Sequence, residues 1–178
     1  MADQASDVVQ FWREAEPHWF SHDAGFDRRF SERFMALHQR AAQGELADWA
    51  STAEGALALL ILLDQFPRNA FRGSSRMYET DAKAREVARA ALAAGHPDRI
   101  AAGLRTFFHL PFSHSEDLAD QDLAVSLQAP LGGDAARFAR GHRDIIQRFG
   151  RFPHRNALLG RTTTPDEQAF LDQGGFSG

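Results

Sequence analysis

Four of the eight histidines lie between residues 109 and 154, and three of them stand within two residues of a charged side chain. His114 is followed by Glu116 and Asp117, and His154 by Arg155. An imidazole beside a carboxylate can move protons or hold a metal ion. His114, Glu116, Asp117 and His154 are therefore the candidate catalytic residues. His114 and Asp117, three apart, share a helix face if the helix begins that early. The H-E-x-x-H motif, the EF-hand loop and the G-x-S-x-G elbow are all absent. A histidine at a helix start is commonly a cap or a buried hydrogen-bonding group, so neither a metal nor a cofactor is expected.

A second constellation repeats. Asp64-Gln65-Phe66-Pro67-Arg68-Asn69 follows one apolar stretch, and Arg151-Phe152-Pro153-His154-Arg155-Asn156 follows another. Both pass through Phe-Pro and then present Arg-Asn. Proline cannot continue a helical hydrogen-bond ladder, so each segment should leave carbonyls at a helix end. Arginine is suited to such carbonyls or to a carboxylate, and asparagine satisfies freed backbone groups in a turn. Two readings follow: a pair of helix terminators with polar staples, or a cleft in which Asp64, Gln65, Arg68, Asn69, Arg151, Arg155 and Asn156 bind an anionic ligand. Charge is also segregated. No basic side chain lies between Arg105 and Arg137, where Glu116, Asp117, Asp120, Asp122 and Asp134 fall, whereas seven arginines occur from Arg137 to Arg161. The two stretches either neutralise one another or form a basic mouth.

These groups must be positioned by helices. The chain has 178 residues, a formal net charge of -4 and no cysteine. Disulfides, thiolate metal sites and cysteine nucleophiles are thereby excluded. The acidic balance argues against nucleic acid and anionic membrane as partners. The longest apolar run, Ala56 to Leu63, is too short to span a bilayer, and Met1-Ala2-Asp3-Gln4 lacks the features of a signal peptide. The expectation is one cytoplasmic helical domain over residues 1–178.

The spacing predicts helices over about 6–14, 23–43, 52–65, 75–94, 98–108, 115–127 and 134–149, with a last one after Thr164. Asp23 is the expected cap of the second, whose Phe26, Phe30, Phe34, Leu37 and Ala41 form one face, and Gly44 stops it. The third is apolar all round and belongs at the centre. Pro111 should end the fifth, Ser115 cap the sixth and Asp134 cap the seventh, which turns Phe138, Ile145, Ile146 and Phe149 inward. Thr164-Pro165-Asp166-Glu167 reads as a capping box.

Four strings together resemble the bacterial family catalogued as domain of unknown function 924. They are Val9-Gln10-Phe11-Trp12, Leu62-Leu63-Asp64-Gln65-Phe66-Pro67-Arg68-Asn69, Leu110-Pro111-Phe112-Ser113-His114-Ser115-Glu116 and Phe149-Gly150-Arg151-Phe152-Pro153-His154-Arg155-Asn156. The resemblance runs from Val8 to Leu171. It implies an all-α, tetratricopeptide-like fold of about eight helices, a right-handed array of antiparallel pairs. It brings no activity, cofactor or catalytic set.

Function therefore divides between a helical binding or scaffold protein and a small-molecule enzyme. The partner of the first would be a protein or peptide lying on a helical surface. The second would be a hydrolase whose Arg68 and Arg155 hold a small anion while His114 with Glu116 or Asp117 moves protons. The same residues could also form a buried polar network that fixes helix register.

Overall fold

The computed structural model describes residues 4–176. Among the described residues all regular structure is helical. Eight α-helices are joined by 3-10 turns and short loops. They are α1 Gln4–Glu14, α2 Ala24–Gln43, α3 over residues 53–70, α4 Asp81–Ala93, α5 Thr106–Ser113, α6 Leu118–Gln128, α7 Gly133–Phe149 and α8 Pro165–Asp172. No helix among these residues is long and apolar enough to cross a membrane.

Local chemistry explains most boundaries. The Asp23 carboxylate accepts from the Gly25 and Phe26 amides at 2.9 and 3.0 Å, and Gly44, at φ 84°, ends α2 in the left-handed conformation. The capping box at Thr164 is complete in both directions. Other boundaries differ from the sequence expectation. Ile100 and Ala101 are extended, which breaks a helix beginning at Asp98 into two 3-10 turns and leaves α5 to start at Thr106. Pro111 lies inside α5 rather than beyond its end. Asp117, not Ser115, caps α6; the Ser115 hydroxyl instead donates to Asp120. Gly132 precedes α7 at φ 66°, so Asp134 sits within the first turn.

The largest departure is at Pro67. The third helix does not stop there. It runs as Ala53–Leu60, widens into a π turn over Ile61–Gln65, and continues as Phe66–Ala70. The Phe66 amide reaches back five residues to the Ile61 carbonyl. Proline has no N–H to offer the carbonyl four residues back, Leu63, or five back, Leu62. Both are buried, and a buried carbonyl needs a donor. His38 on α2 supplies Nδ1 to Leu62 O at 2.9 Å, and the Thr80 hydroxyl, just before α4, donates to Leu63 O. Arg68 adds Nη1 to Asp64 O at 2.9 Å. His38 and Thr80 thus replace the missing rungs, and Arg68 adds a bond beside them.

The chain divides into two compact units: Met1–Arg72 with Arg76–Pro111, and Gly73–Ser75 with Phe112–Gly178. The first holds most of the large buried apolar side chains, among them Trp12, Phe30, Phe34, Leu57, Leu60, Ile61, Phe66 and Phe107. Each contributes about 1.5–3 kcal/mol on burial. Within it α3 packs against α1, α2 and α4. Phe30 links Trp12 (5.3 Å) to Phe66 (5.2 Å), and Trp12 meets Phe107 edge-on at 5.4 Å. At the start of α3 the backbone lies so close that a Cβ on Gly55 would fall 2.1 Å from the Trp49 carbonyl oxygen. The second unit packs α6 against α7 and sets the Pro153–Arg155 turn against α8. Its fully buried large side chains are Phe112 and Phe152, and polar bonding supplies much of its definition.

Thr80→Val keeps the shape of that side chain but removes the donor to Leu63. Urea unfolding at neutral pH should show a loss of about 1–3 kcal/mol. An unchanged midpoint would mean that the Leu63 carbonyl has another donor.

Candidate functional site

Asp64 and Gln65 lie on the π turn, and Arg68 and Asn69 on the last turn of α3, all in the first unit. Arg68 is the centre of this cluster. It forms a two-bond pair with Asp81 (2.8 and 3.0 Å), approaches Asp64 Oδ1 at 3.3 Å and lies 5.8 Å over the Tyr78 ring. Asp64 is 1% exposed and also accepts from the Gln65 amide at 2.6 Å. Burial alone would lower the guanidinium's affinity for its proton, but Asp64 and Asp81 outweigh it and hold the charge more firmly than usual. Asn69 donates to Asp27 at 2.7 Å, and Arg72 clamps the same carboxylate at 2.9 and 3.1 Å.

The remaining candidates belong to the second unit. The α5–α6 loop carries His114, Glu116 and Asp117; the segment after α7 carries Arg151, His154, Arg155 and Asn156. Glu116 pairs with both terminal nitrogens of Arg161 (2.7 and 3.0 Å) and accepts from the Phe152 amide at 2.8 Å. Burial works against its charge, yet Arg161 and that amide keep its carboxyl below the usual range. Arg161 continues to the Asn156 side-chain oxygen at 2.9 Å and the Phe152 carbonyl at 3.1 Å. Asn156 donates to Glu167 at 3.2 Å. Arg151 grips Glu167 at 2.6 and 2.8 Å, and the Thr164 amide adds a further donor. Arg151 foremost among them holds the Glu167 carboxyl down at about 2. Arg155, also buried, donates to the His114 carbonyl at 2.9 Å and stacks 4.5 Å over Phe152.

His154 sits beside Phe152 and Phe176, with ring centres 5.6 and 5.1 Å away. Its Nδ1 is buried without a hydrogen-bond partner among the described residues. Burial, then the charge of Arg155 and the proximity of His142 and Arg161, lower its pKa to about 4 against the pull of Glu116. The ring is therefore neutral at physiological pH. The Asp117 carboxylate caps α6 by accepting the Asp120 amide at 3.1 Å. That helix begins at Leu118, so His114 and Asp117 do not share a helix face. Among the described residues no group of three or more histidine or acidic side chains is arranged to hold a metal ion.

With this geometry in hand, the DUF924 family model, described as a bacterial protein of unknown function, matches residues 8–175. The chain belongs to that family. A solved structure of a protein of unknown function, ATU0120 from Agrobacterium tumefaciens, is 52% identical, with a TM-score of 0.95 over 96% of this chain and 98% of that one. No curated protein matches the sequence. The all-α fold and the family are therefore settled, and the family brings no activity.

In this member of the family, several partners of the candidate residues were not singled out from sequence. Asp81, Asp27 and Thr80 lie outside the quoted strings, and nothing in their spacing ties them to Arg68, Asn69 or Leu63. Glu167 was visible only as a capping-box residue. Arg161 was visible only as one of seven arginines.

Arg68→Ala would leave Asp64 and Asp81 close together without the cation that bridges them. A loss of about 3–5 kcal/mol is expected in chemical denaturation, and a change below 1 kcal/mol would exclude Arg68 as the clamp of this cluster. A second expectation concerns pH. Unfolded histidine titrates near 6.5, whereas His154 in the fold titrates near 4. Between those values the unfolded chain binds more protons, so stability is full above about 6.5 and falls as the pH drops towards 4. His154→Gln should flatten that slope by up to about 1.4 kcal/mol per pH unit. Unfolding curves at pH 7, 6 and 5 measure it, and an unchanged slope would place the proton uptake elsewhere.

Proposed function

We propose that the chain is a cytoplasmic, non-catalytic helical binding protein, built as the tetratricopeptide-like array of helix pairs that its family resemblance implies, with a protein or peptide as its partner. One observation carries this reading. The charged side chains that could have formed a reaction centre are committed to one another. Arg68 is held by Asp64 and Asp81, Glu116 by Arg161, and Glu167 by Arg151 and Asn156. A catalytic acid or base needs a free face towards substrate, whereas such saturated networks fix the register of the helices that carry them. Large apolar side chains remain in solvent by contrast. Phe20 is 73% exposed beside Trp19 and Phe107, as protein-binding surfaces require of their anchors.

A second reading has one specific observation in its favour: the neutral imidazole of His154, near Arg155 and Glu116, is a proton acceptor at physiological pH. It makes the protein a hydrolase of anionic substrates. Within the second unit Arg155 would hold the anion, Arg151 and Asn156 would line its site, and His114 with Glu116 or Asp117 would move protons.

Two measurements separate these readings. A panel of phosphoesters and small anionic esters should be turned over at the same background rate by wild type and His114→Ala. A native-lysate pull-down with the full chain should recover a protein partner near one-to-one. Turnover that His114→Ala abolishes would establish the hydrolase. The absence of any stoichiometric partner would overturn the binding reading.

A further inference from the structure

Helix α7 does not lie as its sequence predicts. Of the four apolar residues expected to face inward, Ile146 alone is fully buried, with Ala136 and Ala139 completing the inner stripe. Phe138 is 52% exposed, and Ile145 and Phe149 are half-buried. At 100° per residue the direction opposite the inner stripe passes through Gly141. A side chain added at Gly141 would meet no atom within 4 Å, so the helix is bare at its midpoint. Beside it runs a groove of about 320 Å³ lined by Gly141, Ile145, Phe149 and Phe170.

The residues flanking Gly141 form a self-complementary pattern. When two antiparallel helices are related by a two-fold axis, residues equally far before and after the axis face each other, and each keeps its lateral side. With the axis at Gly141, Phe138 (three before) comes opposite Ile145 (four after), and both lie on the same side of the Gly141 line. On the other side, Arg137 (four before) comes opposite Asp144 (three after). Asp134 and Arg148 are each seven residues from the centre and oppose one another. The apolar knob thus meets the apolar groove, and each charge meets its opposite, twice over.

The charges concerned are available. Arg137 and Asp134 form an exposed pair within one turn, 2.8 Å apart with side chains 67% and 78% exposed, which contributes little where it stands. Asp144 is 74% exposed and only 4.0 Å from Arg143, whose firmer partner is Asp122. Arg148 stacks on Phe149 and Phe170 and forms no ion pair among the described residues.

We propose that α7 is a homotypic docking surface, on which two copies of the chain pair α7 against α7, antiparallel, about a two-fold axis at Gly141. Phe138 of each copy fills the groove beside Ile145 and Phe149 of the other. Close approach of the two backbones is possible because glycine occupies the axis.

Sedimentation velocity of the purified full chain from about 1 to about 100 µM tests this pairing. The expected result is reversible formation of a species with twice the chain mass. Phe138→Asp and Asp144→Arg should each weaken association by about tenfold or more, since each places an uncompensated charge at the contact. Circular dichroism should be unchanged, because both side chains are exposed. Arg137→Asp combined with Asp144→Arg exchanges the facing charges and should restore association. A chain that stays monomeric throughout overturns the proposal, as does a dimer that neither single variant weakens. A double variant as weak as the singles overturns the axis at Gly141. A monomer would leave the binding reading above untouched, since that rests on the committed charges and on Phe20.

Discussion

Pro67 has no amide proton, yet it occupies the most buried helix of the first unit. A buried carbonyl without a donor costs about 1–3 kcal/mol, so α3 can pass through this proline only if something else supplies the missing bonds. The π turn over Ile61–Gln65 redistributes the vacancy, His38 and Thr80 fill it at Leu62 and Leu63, and Arg68 adds a bond at Asp64. Much follows from these three bonds. His38 ties α3 to α2 and Thr80 ties it to the start of α4. Arg68, once placed at the Asp64 carbonyl, also reaches the carboxylates of Asp64 and Asp81. Burial lowers the pKa of His38 against the pull of the Leu62 carbonyl, which accepts its Nδ1–H.

The second unit solves a similar problem with less apolar surface. Its segment after α7 turns sharply at Gly150 and again at Pro153, which leaves irregular backbone next to buried side chains. Arginine takes up the carbonyls: Arg151 that of Thr162, Arg155 that of His114, and Arg161 that of Phe152. Each of these bonds is directed, and those of Arg151 and Arg161 are anchored by a carboxylate, Glu167 or Glu116. Directional bonds of this kind fix a register that two buried phenylalanines could not fix alone.

Much of this was legible in the sequence, because it is local. The Asp23 cap, the left-handed Gly44, the Thr164 box and the all-round apolarity of α3 each depend on a few consecutive residues. The inference that arginine would bond carbonyls freed by proline does not hold at Pro67, where Leu62 and Leu63 take His38 and Thr80 and Arg68 bonds Asp64 instead. What could not be read depends on distant partners. Pro67 looks like a stop because its compensation comes from His38 and Thr80, 29 residues before it and 13 after. Phe138 looks like core because a helical stripe of apolar residues usually is; which side of α7 is buried is decided by its packing against α6, where alanines rather than aromatics fit. For the candidate site, residue types were legible and partners were not. Glu116 and Arg155 could be named as interacting groups, but that Arg161 would take Glu116 is a matter of tertiary placement.

The π turn also has a consequence for the order in which this chain acquires structure. A helix normally grows by adding one backbone bond per residue from a local nucleus. At Leu62 and Leu63 that mechanism fails, because their donors are supplied by residues on two other elements. The C-terminal part of α3 therefore leans on its neighbours: taken alone it holds two carbonyls that Pro67 cannot serve. Burying those carbonyls with donors in place requires α2 and the start of α4, which ties the placement of Asp64, Arg68 and Asn69 to both elements.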